Sequence, residues 1–138
     1  MIQLTRRYEL PAAHVLASPQ LSYEENCRIF GKCANPGGHG HNYLVDVTVA
    51  GPVDAVTGEV VPVDLLDEIF DASVRSRYGH SMLNELDAYA VRVPTAENIV
   101  LDVYDELAPE LARRSSARLV RVTLTETPNN RADCGQAE

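Results

Sequence analysis

His39-Gly40-His41 runs directly into Tyr43, Val45, Val47 and Val49, which alternate with Asn42, Leu44, Asp46 and Thr48. Strict alternation of this kind specifies a strand with one face buried and the other wet. Side chains two apart on a strand point to the same side, so the two imidazoles at its start share a face. A half-buried strand that opens on a histidine pair constrains both the fold and the chemistry.

The segment before it is unusual. From Pro11 to Gly40 the chain is punctuated by Pro19, Gly31, Pro36, Gly37, Gly38 and Gly40, with a helical turn expected near Tyr23 to Ile29. A connection of this length is uncommon in a compact domain unless it carries function. Ahead of it, Ile2, Leu4, Tyr8 and Leu10 fall on even positions and predict a first strand over residues 2–10. Thr57-Gly58 predicts a hairpin turn into a short strand, Glu59 to Val63.

Asp64 is placed to cap a helix running to about Arg75, with Leu65, Leu66, Ile69 and Phe70 at helical spacing. Thr95 is placed to cap a second helix, and Glu97 puts an acid in its first turn. The stripe of that helix is Ile99, Val103, Leu107 and Leu111, with Pro109 awkward near its end. A last strand sets Leu119, Arg121, Thr123 and Thr125 against Val120, Val122, Leu124 and Glu126. The order strand, strand, strand, helix, helix, strand predicts an α+β fold with an antiparallel sheet. The 138 residues fit a single domain over 1–138, without repeat or low-complexity segment.

Charge narrows the partners. With 12 Lys and Arg against 20 Asp and Glu, the net charge is −8. That sign argues against nucleic-acid binding and gives no attraction to an anionic membrane. No stretch approaches the roughly 18 apolar residues of a membrane span. Arg6 and Arg7 near the start are not followed by an apolar run of signal-peptide length. Cys27, Cys33 and Cys134 are odd in number, which suits free thiols in a reducing compartment. A soluble, cytoplasmic protein is expected.

The four histidines are His14, His39, His41 and His80. If the first strand lies beside the second, His14 joins the His39–His41 pair. Three imidazoles with one open position is the arrangement of catalytic rather than structural zinc. The same donors suit other transition metals. Spacing alone does not separate such a site from hydrogen-bonding surface histidines.

Taken together, the motifs resemble the 6-pyruvoyltetrahydropterin synthase / 6-carboxytetrahydropterin synthase family. Ala12-Ala13-His14 resembles its first metal motif, and residues Phe30 to Tyr43 (Phe-Gly-Lys-Cys-Ala-Asn-Pro-Gly-Gly-His-Gly-His-Asn-Tyr) resemble its central signature. Thr57-Gly58, Leu83-Asn84, Pro94-Thr95-Ala96-Glu97-Asn98 and Thr125-Glu126-Thr127 follow in the family's order.

The resemblance implies Zn2+ held by His14, His39 and His41, with Cys33 and His80 as catalytic residues. It implies Glu126 as the anchor of a pterin ring, with Thr95 and Glu97 lining the same pocket. The implied fold is the tunnelling fold: a four-stranded antiparallel sheet with two helices on one face. Subunits of that fold join into a barrel as a trimer or hexamer. The implied reaction converts 7,8-dihydroneopterin triphosphate to 6-pyruvoyl- or 6-carboxy-tetrahydropterin with loss of triphosphate.

Two positions depart from the family pattern. Gly79 stands where an aspartate usually precedes the histidine matched by His80, and Pro62 replaces an acidic or amide residue before the first helix. The first departure leaves His80 without an orienting carboxylate. It keeps two other readings open: a specialised paralogue acting on another pterin-like or polyol substrate, and a non-catalytic pterin-binding protein. On the paralogue reading, Gly79→Asp is expected to raise ordinary pterin turnover.

Overall fold

A computed structural model describes residues 1–136. β1 (Ile2–His14) and β2 (His39–Gly51) pair antiparallel from Ile2 opposite Gly51 to His14 opposite His39. β1 therefore continues past Leu10 and through Pro11. Proline is tolerated there because β1 is an outer strand, where one row of N–H groups has no ladder partner. β3 (Arg118–Thr127) and β4 (Asn130–Gly135) complete one sheet in the order β1-β2-β3-β4.

The strand expected over Glu59 to Val63 does not form. Those residues make an irregular approach to α2 (Val63–Phe70), with Val61 buried in the core but in no ladder. The fourth strand is instead β4. The Thr57-Gly58 turn is present, with Gly58 at φ +77°, and Asp54 Oδ1 accepts the Val56 and Thr57 N–H groups at 2.8 Å.

α1 (Tyr23–Phe30) begins with a capping box. Glu25 N–H donates to Ser22 Oγ at 3.1 Å and Ser22 N–H donates to Glu25 Oε2 at 2.9 Å. α2 starts one residue earlier than its expected cap, so Asp64 lies in the first turn and Pro62 takes the N-cap position. A π-helical turn (Asp71–Arg75) carries the chain into the short α3 (Ser76–Tyr78). α4 (Ala96–Arg114) is capped by Thr95 as expected and runs through the exposed Pro109.

The helices cover one face of the sheet. Tyr8, Leu10, Tyr43, Val45, Val47, Val49, Val122 and Leu124 meet Leu66, Ile69, Phe70, Ile99, Val103, Leu107 and Leu111 in one buried cluster. α2 is seated by a Tyr8–Phe70 ring stack at 4.0 Å and by Arg6, which forks onto Asp67 at 2.8 and 2.9 Å.

Two bulges break the ladders. One lies between Thr48 and Val49, whose β3 partners are Arg121 and Leu119. It turns Leu119 to the core beside Val122 and Leu124, so the simple alternation expected for β3 changes phase there. The other leaves Glu126 without a partner in β4. No helix among the described residues is long and apolar enough to cross a membrane.

Candidate functional site

The β1–β2 register places His14 opposite His39 and Ala12 opposite His41. By strand parity all three imidazoles project on the face that carries Leu10, Tyr43 and Val45. At this end the face changes from hydrocarbon to imidazole, and the ring centroids lie 4.6, 4.8 and 5.1 Å apart. The approach depends on Gly38, at φ +72°, where a Cβ would come within 2.8 Å of Met82 Cε and 3.3 Å of the His14 carbonyl oxygen.

Glu126 completes the group. Its bulged position aims the carboxylate at the histidines, with Oε1 3.4 Å from His14 Nε2 and 3.3 Å from His41 Nε2. Asn130 Nδ2 donates to Oε2 at 2.7 Å. One ligand atom from each of His14, His39, His41 and Glu126 lies within 4.8 Å of the others.

The chemistry of these atoms fits a metal ion. His14 is fully buried, and its Nδ1 lies 2.8 Å from the Pro94 carbonyl oxygen. A carbonyl only accepts, so Nδ1 carries the proton and Nε2 presents a bare lone pair. That lone pair faces His39 Nε2 at 3.0 Å. His41 Nε2 is buried with no hydrogen-bond partner. A tetrahedral ion with bonds of about 2.0–2.1 Å separates its ligands by roughly 3.3–3.4 Å, and the His14–His39, His41–Glu126 and His14–Glu126 spacings of 3.0, 3.3 and 3.4 Å lie near it.

The electrostatics agree. Burial, followed by the neighbouring imidazoles, holds His39 below the ordinary histidine value. Burial also lowers His41, against an opposing pull from Glu126. The adjoining His14, then the Asn130 hydrogen bond and His41, hold the Glu126 carboxyl below the usual value despite its burial. Neutral imidazoles and an ionised carboxylate are the forms that bind metals.

Not all the expected residues converge. The Cys33 carbonyl accepts the Leu16 N–H at 2.8 Å, which sets Cys33 beside the chain just after His14. His80 is exposed, has φ +54°, and lines a cleft of about 530 Å³ together with His41 and Ala12. Among the described residues no hydrogen bond joins Cys33 to His80. The Thr95 hydroxyl accepts the Asn98 N–H at 3.3 Å as the α4 cap, and Glu97 is exposed in the first turn.

Two supports were not assigned from sequence. The Asn84 side chain brackets Val15, accepting its N–H at 2.7 Å and donating to its carbonyl at 2.9 Å. The Pro94 carbonyl orients His14. Both lie in stretches that carry the family resemblance, yet the Pro94 contact is made by backbone, which composition does not reveal.

Residues 3–137 match the family described as 6-pyruvoyl tetrahydropterin synthase. The chain belongs to the 6-pyruvoyl tetrahydropterin synthase family. It is 41% identical to the 6-pyruvoyl tetrahydrobiopterin synthase of Drosophila melanogaster over 128 residues, covering 92% of this chain and 75% of that protein. The solved structure of the Caenorhabditis elegans 6-pyruvoyl tetrahydropterin synthase superposes with a TM-score of 0.89 at 32% identity, covering 99% and 96% of the two chains. A 6-carboxy-5,6,7,8-tetrahydropterin synthase from Rickettsia bellii is 26% identical over 145 residues, covering 94% and 96%.

In this chain Gly79 has a packing reason. Its N–H donates to the Arg75 carbonyl at 2.9 Å, and a Cβ would come within 2.6 Å of that oxygen. The π-helical turn before it brings the Arg75 backbone too close for any side chain. This crowding works against Gly79→Asp as a route to higher turnover. Gly79→Asp should cost about 1–3 kcal/mol of stability through overpacking, measured by urea unfolding.

A second outcome concerns pH. His39 and His41 have lowered values in the fold, so the unfolded chain takes up protons first as pH falls. Their contribution is complete above about pH 6.5 and declines below it. The metal-free protein should unfold at lower urea concentration at pH 5.5 than at pH 7.5. His39→Ala should flatten that dependence.

Proposed function

We propose that this chain is a zinc-dependent lyase that converts 7,8-dihydroneopterin triphosphate to a tetrahydropterin with loss of triphosphate. The observation that carries the proposal is the convergence of three imidazoles, each with Nε2 toward a common point, in a chain matched by the family over nearly its whole length. The 6-pyruvoyl product is favoured over the 6-carboxy product. Identity is higher to the pyruvoyl relative, 41% against 26%. The loop between Cys33 and His39 also has the length usual in the pyruvoyl branch.

Zn2+ held by His14, His39 and His41 would supply Lewis acidity toward the side-chain oxygens of the substrate. Glu126 would grip the amide and amino edge of the pterin by two parallel hydrogen bonds, with Asn130 keeping the carboxylate in place. Cys33, as thiolate, would take a proton from the side chain and return one to the ring. The side chain is oxidised as the ring is reduced, so no outside oxidant is needed. His80 would relay that proton at the rim of the cleft, and Thr95 and Glu97 would border the pterin pocket.

Copies of the chain would join their sheets through the outer strands β1 and β4, forming a barrel with sites between subunits. A trimer or hexamer in the cytoplasm follows from this reading. The open backbone of an outer strand is a ready template for such pairing.

Gly79 favours one further reading, a paralogue specialised for another pterin-like or polyol substrate, because no carboxylate at that position orients His80. Incubating the zinc-loaded protein with 7,8-dihydroneopterin triphosphate and identifying the products by mass separates the two. Loss of triphosphate with a 6-pyruvoyl product supports the proposal, and Cys33→Ala should slow it by about 10²–10⁴-fold. Unchanged substrate with zinc verified would shift the reading to the specialised paralogue. Full turnover by Cys33→Ala would remove that residue from the chemistry.

A further inference from the structure

His14 is the most deeply buried of the three histidines, and its Nδ1 is met from behind by the Pro94 carbonyl oxygen at 2.8 Å and, at 3.2 Å, by the Tyr43 hydroxyl. The carbonyl is the nearer partner and the one that can only accept, so whatever fixes it sets the imidazole's tautomer and guides its direction. Pro94 lies between two pinned neighbours. Thr95 N–H donates to the Val93 carbonyl at 2.8 Å, a three-residue turn centred on the proline. The proline ring restricts the backbone further.

The same Val93 carbonyl receives a second donor from the side chain of Asn98, whose Nδ2 lies at 2.8 Å. The other end of that amide is engaged as well, because Arg92 Nη2 donates to Asn98 Oδ1 at 3.2 Å. These partners assign the amide's orientation, since a carbonyl only accepts and a guanidinium only donates. Arg92 is held in turn by Asp102, one turn further along α4, at 2.8 Å. The start of α4 thus reaches back and clamps the loop that presents its carbonyl to His14.

We infer that Asn98, supported by Arg92 and Asp102, is a positioning residue for the metal site, acting through Val93 and Pro94 on His14. Among the described residues no hydrogen bond joins Asn98 to the histidines or to Glu126. Its backbone N–H serves the Thr95 cap, whereas its side chain serves the loop. The two roles are separable: substitution at 98 keeps the cap and releases the clamp. Freed of it, the Pro94 carbonyl would tilt, and His14 would present Nε2 less accurately.

The inference rests on the metal reading above, and its test keeps the two apart. Zinc affinity of the full chain is measured by competition with a chromophoric chelator, and the visible spectrum of the cobalt-loaded protein is recorded alongside. Asn98→Ala should weaken zinc binding by about 10–100-fold and alter the cobalt bands. Asn98→Asp, which keeps the size and the Arg92 contact but loses the donor to Val93, should do the same if the alanine variant folds poorly. Leu111→Val, in the core at the far end of α4, should lower thermal stability while leaving affinity and spectrum as in the wild type. Asn98 variants with wild-type affinity and spectrum would overturn the inference. A wild-type chain that binds no zinc would overturn the metal reading and this inference together.

Discussion

The antiparallel ladder between β1 and β2 is the interaction on which the rest depends. It runs without a break from Ile2 opposite Gly51 to His14 opposite His39. Register matters because the side-chain period of a strand is two, so a slip of one residue would turn every group to the other face. A slipped β1 would expose Tyr8 and Leu10 and carry His14 away from His39 and His41. Burial of the apolar face therefore enforces the position of His14 beside His39 and His41, so the core and the histidine cluster share one pairing.

The site grows out of the core face with few additions. Tyr43 lies beneath the histidines, and the charges near it, with burial as the larger cause, keep its hydroxyl protonated. A bulge supplies the carboxylate that the regular ladder would have aimed elsewhere, and Gly38 removes the Cβ that would block the turn into β2. Asn84 and the Pro94 carbonyl then hold β1's end from outside the sheet. Each device acts at the site end while the β1–β2 ladder stays unbroken.

The parts legible in the sequence were those written in side-chain pattern. The alternation of β2, the stripe of α4, the Thr95 cap and the histidine pair all survive in the structure. The parts that were not legible are set by backbone and tertiary pairing. Pro11 reads as a break, yet an outer strand accommodates it, so β1 looked too short. β4 carries no strong apolar alternation, because only Ala132 and Cys134 lean on the core, and its pairing with β3 defines it. The Thr57-Gly58 turn suggested a strand over Glu59 to Val63, but those residues pack without one. Glu126 was expected from resemblance alone, and its approach to the histidines required a bulge that no local residue choice announces. Gly79, which looked like a lost carboxylate, fills a place where the Arg75 backbone leaves no room.

The central proposal is that a metal ion binds to the three imidazoles brought together by the β1–β2 register, with no thiolate among its ligands. X-ray absorption at the zinc edge of the reconstituted protein tests this most directly. The account predicts one zinc per chain, a first shell of nitrogen and oxygen near 2.0–2.1 Å, and outer scattering from three imidazoles. A sulfur contribution near 2.3 Å, or scattering from fewer imidazoles, would contradict it.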